Sequence, residues 1–255
     1  MTPLDPAFLS IPLAHRALHD VAKGRPENSR AAIRAAIAAG YGIEIDIQPS
    51  ADGVPMVFHD YQLNRLTAET GAIARRSATE LAAIPLTGGT EGIPTLHEVL
   101  ALVAGQVPLL IEIKDQDGAM GPAVGPLERA IAAQVAGYVG PLALMSFNPH
   151  SIAALRDASP ALCLGLTTSA YSADDWPLLP APRRDALREI PDAEPLDVAF
   201  ISHEAADLDR PRVADLKAQG RHVLCWTIRS AAEEARARHV AQNITFEGYQ
   251  ADFPA

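Results

Sequence analysis

The sequence predicts an α/β chain folded as a (β/α)8 barrel, the TIM-barrel architecture, in one domain covering residues 1–255. Three observations carry this expectation. Short apolar runs alternate with helical patterns from one end of the chain to the other, as in parallel strands joined by helical crossovers. Eight such runs fit within 255 residues, an ordinary length for this barrel. With 48% hydrophobic and 20% charged residues, there is enough apolar side chain to fill a barrel and the layer beneath its helices.

Ile11–His15 is the first expected strand. A loop through Pro26 leads to Asn28 or Ser29, either of which can cap an alanine-rich helix ending at Gly40. The second strand is Ile43–Ile47. Residues 48–93 are too long for a strand-to-helix loop, and after an Asp52-Gly53 turn Val54–Asp60 reads as an extra strand within this insertion. Leu109–Lys114, Leu142–Phe147, Leu162–Thr167, Val198–His203 and Val223–Thr227 are strands three to seven. A last short strand is expected around Tyr249–Phe253. Helix boundaries are marked between them. Thr95 with Glu98 and Ser230 with Glu233 have capping-box spacing, Asn148-Pro149 sets a cap before a first-turn proline, and Gly105 and Gly220 stand where helices should stop. Residues 170–197, rich in Pro, Asp and Arg, break the periodicity; they read as an excursion over the rim with at most a short helix near Arg183–Ile190. The eighth helix is expected to be missing or very short, with residues 1–10 available to cover the gap.

The chemistry is concentrated in Ile43-Glu44-Ile45-Asp46-Ile47. A strand turns the isoleucines to one face and both carboxylates to the other. Two ionised carboxylates facing an interior are unfavourable unless something positive lies between them. A divalent cation answers that need, with buried Arg or Lys partners as the alternative. The pattern returns in Ile111-Glu112-Ile113-Lys114. Because the carboxyl ends of barrel strands share one face, His15, Arg16, Glu44, Asp46, Glu112, Lys114 and Trp226 all belong there, and His59 at the end of the inserted strand can fold back over the mouth. Three carboxylates make an oxygen-rich site suited to one Mg2+ or Ca2+ rather than zinc. Two flanking imidazoles are equipment for general acid and base work near neutral pH. Arg16 and Lys114 add fixed positive charge, and arginine can hold a phosphate bidentately. Together these residues point to phosphoryl chemistry on an ester. His203 also ends a strand and is a candidate pocket residue. Cys163 and Cys225 lie in apolar runs and read as buried hydrophobes.

At these residues the chain resembles the glycerophosphodiester phosphodiesterase family. The likeness runs through Ala14-His15-Arg16, Pro26-Glu27-Asn28, Gly42 to Ile47, Asp52-Gly53-Val54-Pro55, His59-Asp60, Leu63 to Thr67, Ile111 to Lys114, Ser146-Phe147, Trp226-Thr227 and Ala251 to Pro254, in order along nearly the whole chain. The resemblance implies a barrel of the phospholipase-C-like kind with a characteristic insertion after strand two. It implies that Glu44, Asp46 and Glu112 hold the metal, that His15 and His59 are the acid–base pair, that Arg16 and Lys114 contact phosphate, and that Trp226 walls the pocket. The implied reaction is hydrolysis of a glycerophosphodiester to sn-glycerol 3-phosphate and an alcohol, with the neighbouring glycerol hydroxyl as first nucleophile. Members commonly carry Gly after the His-Arg pair, where Ala17 stands here, and the loop Leu18–Arg25, with His19, Asp20 and Arg25, is longer than usual.

Alternatives from other classes are a lysophospholipase-D-like activity on acylated substrates, a metal-dependent barrel lyase or aldolase, and a binding barrel without turnover. The substrate is expected to be a small molecule. Acidic residues exceed basic ones by 31 to 21, which argues against a nucleic-acid partner. No apolar run is long enough for stable membrane insertion, and the first residues lack the pattern of an export signal, so a cytoplasmic location is expected.

Overall fold

The computed structural model describes residues 1–254. The chain enters through α1 (Ala7–Ser10) and β1 (Leu13–Ala14), then α2 (Arg30–Ala39) and β2 (Gly42–Pro49). β3 (Pro55–Val57) returns antiparallel to β2, pairing Ile47 with Val57 and Pro49 with Pro55. α3 (Ala78–Ala83) and α4 (Leu96–Val103) follow, and then strands and helices alternate: β4 (Leu109–Ile113), α5 (Pro126–Val135), β5 (Leu142–Ser146), α6 (Pro149–Ala158), β6 (Leu164–Thr168), α7 (Ala181–Arg188), β7 (Phe200–Glu204), α8 (Pro211–Ala218), β8 (His222–Ile228), α9 (Ala231–Ala237) and β9 (Asn243–Phe246). Leaving β3 aside, the strands run parallel in the order β1-β9-β8-β7-β6-β5-β4-β2, and β1 pairs with β2 to close the ring. The fold is a TIM barrel. No helix among the described residues is long and apolar enough to cross a membrane.

Alternation along the strands builds two apolar layers. Ile43, Ile45, Ile47, Leu109, Ile111 and Ile113 face outward and pack with Ile33, Val99 and Ile131 of the surrounding helices. Leu13, Leu110, Ala143, Phe200 and Leu224 face inward and close the barrel around Phe8. The first ten residues therefore serve a different purpose from the expected one: α1 plugs the floor of the barrel. Asn243 pins it there, its Nδ2 donating to the carbonyls of Phe8 at 2.8 Å and Ile11 at 2.7 Å.

The last strand also differs from expectation. Tyr249–Phe253 is not a strand; β9 lies earlier, at Asn243–Phe246. Residues after β9 form no helix among those described, and the segment covers the flank where an eighth helix would lie. The Phe253 ring stacks on Tyr41 with centroids 5.0 Å apart. Tyr41 donates to the Ala251 carbonyl at 2.7 Å, and Tyr249 donates to Glu234 at 2.8 Å.

Two segments over the carboxyl-end face have small cores of their own. Within the insertion, Met56, Phe58, Leu63, Ile73, Leu81 and Ile93 pack together. Over the opposite rim, Met120, Tyr171, Leu179 and Leu187 cluster against Phe147 and Trp176. Of the expected caps, Ser29 takes the start of α2, accepting from Ala32 N at 3.1 Å, which leaves Asn28 for another task. The Thr95–Glu98 box forms in full. The Ser230–Glu233 box forms by half, because the Glu233 carboxylate turns to Arg229 N at 2.7 Å.

Candidate active site

Glu44 and Asp46 on β2 and Glu112 on β4 point into the barrel because their isoleucine neighbours point out, and the ladder register sets Asp46 directly beside Glu112. All three are buried, and one carboxylate oxygen from each lies within 4.8 Å of the others. The Lys114 ammonium pairs with Asp46 Oδ1 at 2.7 Å and also with Glu112. The Arg16 side chain donates to Glu27 at 3.0 Å and lies 3.7 Å from Asp46, while Arg16 N donates to Glu44 Oε2 at 2.9 Å. Asn28 Nδ2 donates to Asp46 Oδ2 at 2.9 Å. Sequence reasoning offered Asn28 as a helix cap, yet it is a buried support of a site carboxylate.

The acids answer unequally to this setting. Burial would raise Asp46, but Lys114, then His59 and Arg16, outweigh it and hold the carboxyl far below its ordinary range. Among the described residues no cationic side chain pairs with Glu44, and burial followed by the charges of Asp46 and Glu112 pushes it well above the ordinary value. Buried Lys and Arg thus compensate part of the trio and leave Glu44 unanswered. Six carboxyl groups are gathered here (Glu27, Glu44, Asp46, Asp60, Glu112, Glu247) against four fixed cations (Arg16, Arg65, Lys114, Arg229), a formal excess of two negative charges once all six are ionised, as a cation at the trio would require. An all-oxygen trio with that excess fits a hard divalent cation.

His15 leaves β1 and is largely buried; its Nδ1 lies 2.6 Å from Glu247 Oε2. Burial lowers the His15 pKa, favouring the neutral ring. Glu247 is held far below its ordinary range by its bond with His15, then by His19 3.5 Å away, and Arg229 pairs with its other oxygen at 2.8 Å. His59 follows β3, and its Nδ1 lies 2.6 Å from Asp60 Oδ1. Arg65 clamps Asp60 at 2.6 Å and reaches Glu27 at 2.8 Å. A carboxylate on Nδ1 fixes the neutral tautomer with its lone pair on Nε2. Glu247 and Asp60 were not singled out from sequence. Asp60 stood next to a chosen histidine. Glu247 would have followed from a correctly placed β9, whose carboxyl end it marks.

Two joined cavities open at this face. The inner one, about 160 Å³, is lined by His15, Arg16, the three acids, His59, Lys114 and Trp226. Eight of the candidates drawn from the sequence therefore meet at one place, with His203 the exception. The outer cavity, about 730 Å³, shares His59, Glu112, Lys114, Phe147 and Trp226 with it and extends beneath Trp176. Trp226 Nε1 donates to the Ser202 carbonyl at 3.0 Å, which fixes the ring as a wall between the two. His203 belongs elsewhere: fully buried, it bonds Thr168 at 2.8 Å and Asp207 at 3.2 Å and lines neither cavity. Cys163 and Cys225 are buried free thiols.

A TIM barrel with three clustered acids and two carboxylate-oriented imidazoles at its carboxyl-end face is an enzyme scaffold with equipment for hydrolysis. Residues 15–246 match the model of the glycerophosphoryl diester phosphodiesterase family, and the chain belongs to that family, a phosphodiesterase by membership. A glycerophosphodiester phosphodiesterase of Caldanaerobacter subterraneus subsp. tengcongensis is 30% identical over 175 residues, covering 64% of this chain and 69% of that protein. Among solved structures, an Oleispira antarctica phosphodiesterase in complex with the product sn-glycerol 3-phosphate superposes with a TM-score of 0.77 at 25% identity, covering 94% of each chain. A glycerophosphodiester phosphodiesterase from Thermotoga maritima shares the fold, with a TM-score of 0.68 at 19% identity over 92% of this chain and 94% of that one.

Proposed function

We propose that this chain hydrolyses glycerophosphodiesters to sn-glycerol 3-phosphate and an alcohol, with one divalent cation, Mg2+ or Ca2+, held by Glu44, Asp46 and Glu112. The observation that carries the reading is the meeting of these acids with His15 and His59 at a single cavity of about 160 Å³. The Oleispira relative, holding glycerol 3-phosphate in the same fold, supports the choice of substrate. A cation bound by the trio supplies Lewis-acid neutralisation of charge on the phosphoryl oxygens.

The protein's own groups divide the remaining work. His15 lines only the inner cavity and is kept neutral by burial, so its Nε2 is the base that takes the proton from the attacking glycerol hydroxyl. His59 lines both cavities on the side where the alcohol departs. Entering the step as the imidazolium, its charge balanced by Asp60 at Nδ1, it delivers its Nε2 proton to the leaving oxygen as the phosphorus–oxygen bond breaks and is left as the neutral ring. Water then adds with the two roles reversed, opening the cyclic phosphate. A neighbouring hydroxyl is effective here because it is already in place. Lys114 and Arg16 offer positive charge to the phosphate, and Trp226 bounds the site.

The test is a panel of glycerophosphodiesters and lysophospholipids assayed for glycerol 3-phosphate release with each metal. Release that chelator abolishes and added metal restores is the expected result. Full turnover in chelator overturns the metal assignment, and no release from any diester overturns the reaction. Glu44→Gln should weaken metal affinity measured by calorimetry; affinity equal to that of the unaltered protein would remove Glu44 from the ligand set.

A further inference from the structure

We propose that the outer cavity is a subsite for a cationic alcohol, a compact quaternary ammonium group such as choline, seated against Trp176, Phe147 and Trp226 in the field of Glu204 and Asp175. The inference rests on the phosphodiesterase reading above and deepens it by naming the alcohol.

Size assigns the two arms of the diester. The inner cavity of about 160 Å³ has room for a three-carbon fragment, and the outer one of about 730 Å³ receives whatever lies beyond the phosphate. The outer wall is aromatic and concave. Phe147 meets Trp226 edge to face, with centroids 5.5 Å apart and planes at 84°, and meets Trp176 at 4.9 Å and 60°. Rings set at such angles form a corner around a small group, and their faces attract a cation with hydrocarbon surface, tryptophan most strongly.

Charge points the same way. The cations lining this cavity are already engaged, Lys114 by Asp46 and Glu112, and Arg65 by Asp60 and Glu27. Three of its acids are not. Glu204 accepts from Ala170 N at 3.0 Å, Asp175 from Ser172 Oγ at 2.6 Å, and Asp115 from Asn148 Nδ2 at 2.7 Å, none of them a cation. An apolar cavity edged by unmatched carboxylates suits a monocation. Glycerol, an acyclic polyol, would offer the rings little apolar surface, and an acyl chain would cover the rings while leaving the carboxylates without a counter-charge. The segment that broke the periodicity thereby acquires a purpose, since it holds Trp176 over the site. Trp176 Nε1 donates to Ser169 Oγ at 3.2 Å, and Arg188 ties down the carbonyls of Ala170 at 2.8 Å and Tyr171 at 3.3 Å.

Specificity constants for glycerophosphocholine and glycerophosphoglycerol, measured on the full chain and three variants, test the subsite. The unaltered protein should prefer the choline diester. Trp176→Leu should lower the choline-to-glycerol ratio about three- to thirtyfold, the range of a cation–π contact. Trp176→Phe should keep most of the ratio, and Glu204→Gln, whose amide oxygen can still accept from Ala170 N, should lower it. Choline chloride should quench tryptophan fluorescence saturably, and its uncharged isostere, with tert-butyl in place of trimethylammonium, should not. An unchanged ratio in both Trp176→Leu and Glu204→Gln, or equal binding of the isostere, overturns the subsite. If no diester is turned over, the phosphodiesterase reading fails by itself. The choline titration then still decides the cavity, with saturable quenching in its favour and none against it.

Discussion

The two histidines of the inner cavity are supported in opposite ways. His15 belongs to the barrel wall. Its side chain is 14% exposed, and its carboxylate partner, Glu247, stands at the end of the adjacent β9 and is paired with Arg229 just past β8. His59 belongs to the insertion. Its side chain is 30% exposed, and Asp60 beside it is kept in place by Arg65, which in turn grips Glu27 of the first loop. Each imidazole has a carboxylate 2.6 Å from Nδ1. Sheet packing fixes one of these devices, while the other depends on a relay of charges across two loops. The same local chemistry can thus be mounted on a rigid support or on an electrostatic one, and the second is the one that salt screens.

Removing an imidazole is the severest way to test this pairing. His59→Ala should lower kcat about 10²–10⁴-fold, the scale of lost general acid catalysis, while calorimetry finds metal affinity retained. A loss under about threefold takes His59 out of the mechanism and leaves the barrel-wall histidine as the only proton carrier.

Neutralising the orienting carboxylates sharpens the comparison at a smaller scale. Glu247→Gln and Asp60→Asn each remove a charge-assisted bond and should each lower kcat about 10- to 10²-fold. The Asp60→Asn loss should vary more with ionic strength, because Arg65 and Glu27 lose their organising partner as well. If both changes leave kcat unaltered, the rings are held by packing alone and the two supports are equivalent.

Legibility from sequence followed the same division. Strands flanked by long apolar alternation were readable, and with them Glu44, Asp46 and Glu112, because period-two patterning fixes which side chains share a face. β9 was misplaced for a physical reason. Its four residues, Asn-Ile-Thr-Phe, put polar Asn243 and Thr245 into the barrel, and Asn243 is occupied in pinning α1. The aromatic run Tyr249 to Phe253 looked more like a strand, yet its rings are used against Phe246 and Tyr41. With β9 displaced, Glu247 was lost from view. The Arg65 relay was unreadable for another reason: its members lie 38 residues apart, and no local pattern announces a long-range ion pair.

The smallest expected effect concerns Ala17, where the family commonly has glycine. Ala17 sits at φ +64°, in the left-handed region, directly after Arg16 at φ +52°. For a residue with a side chain this conformation is unfavourable by about 1–2 kcal/mol. Two terms offset it. The Ala17 methyl is buried in the main core, and a glycine would raise the entropy of the unfolded chain, terms of about 0.8 kcal/mol and about 0.4–1 kcal/mol. Ala17→Gly should therefore change unfolding free energy by less than about 1 kcal/mol and leave kcat alone, since Arg16 N still reaches Glu44. Denaturant unfolding measures the first quantity and steady-state assay the second. A gain well above 1 kcal/mol would mean that the turn beneath His15 is strained and that the barrel-wall support is less rigid than the sheet around it suggests. A loss of that size would assign the methyl a larger share in holding the His15 side in register than the backbone hydrogen bonds of Ala17 N to Glu44 O, at 2.9 Å, and Ala14 O, at 3.2 Å.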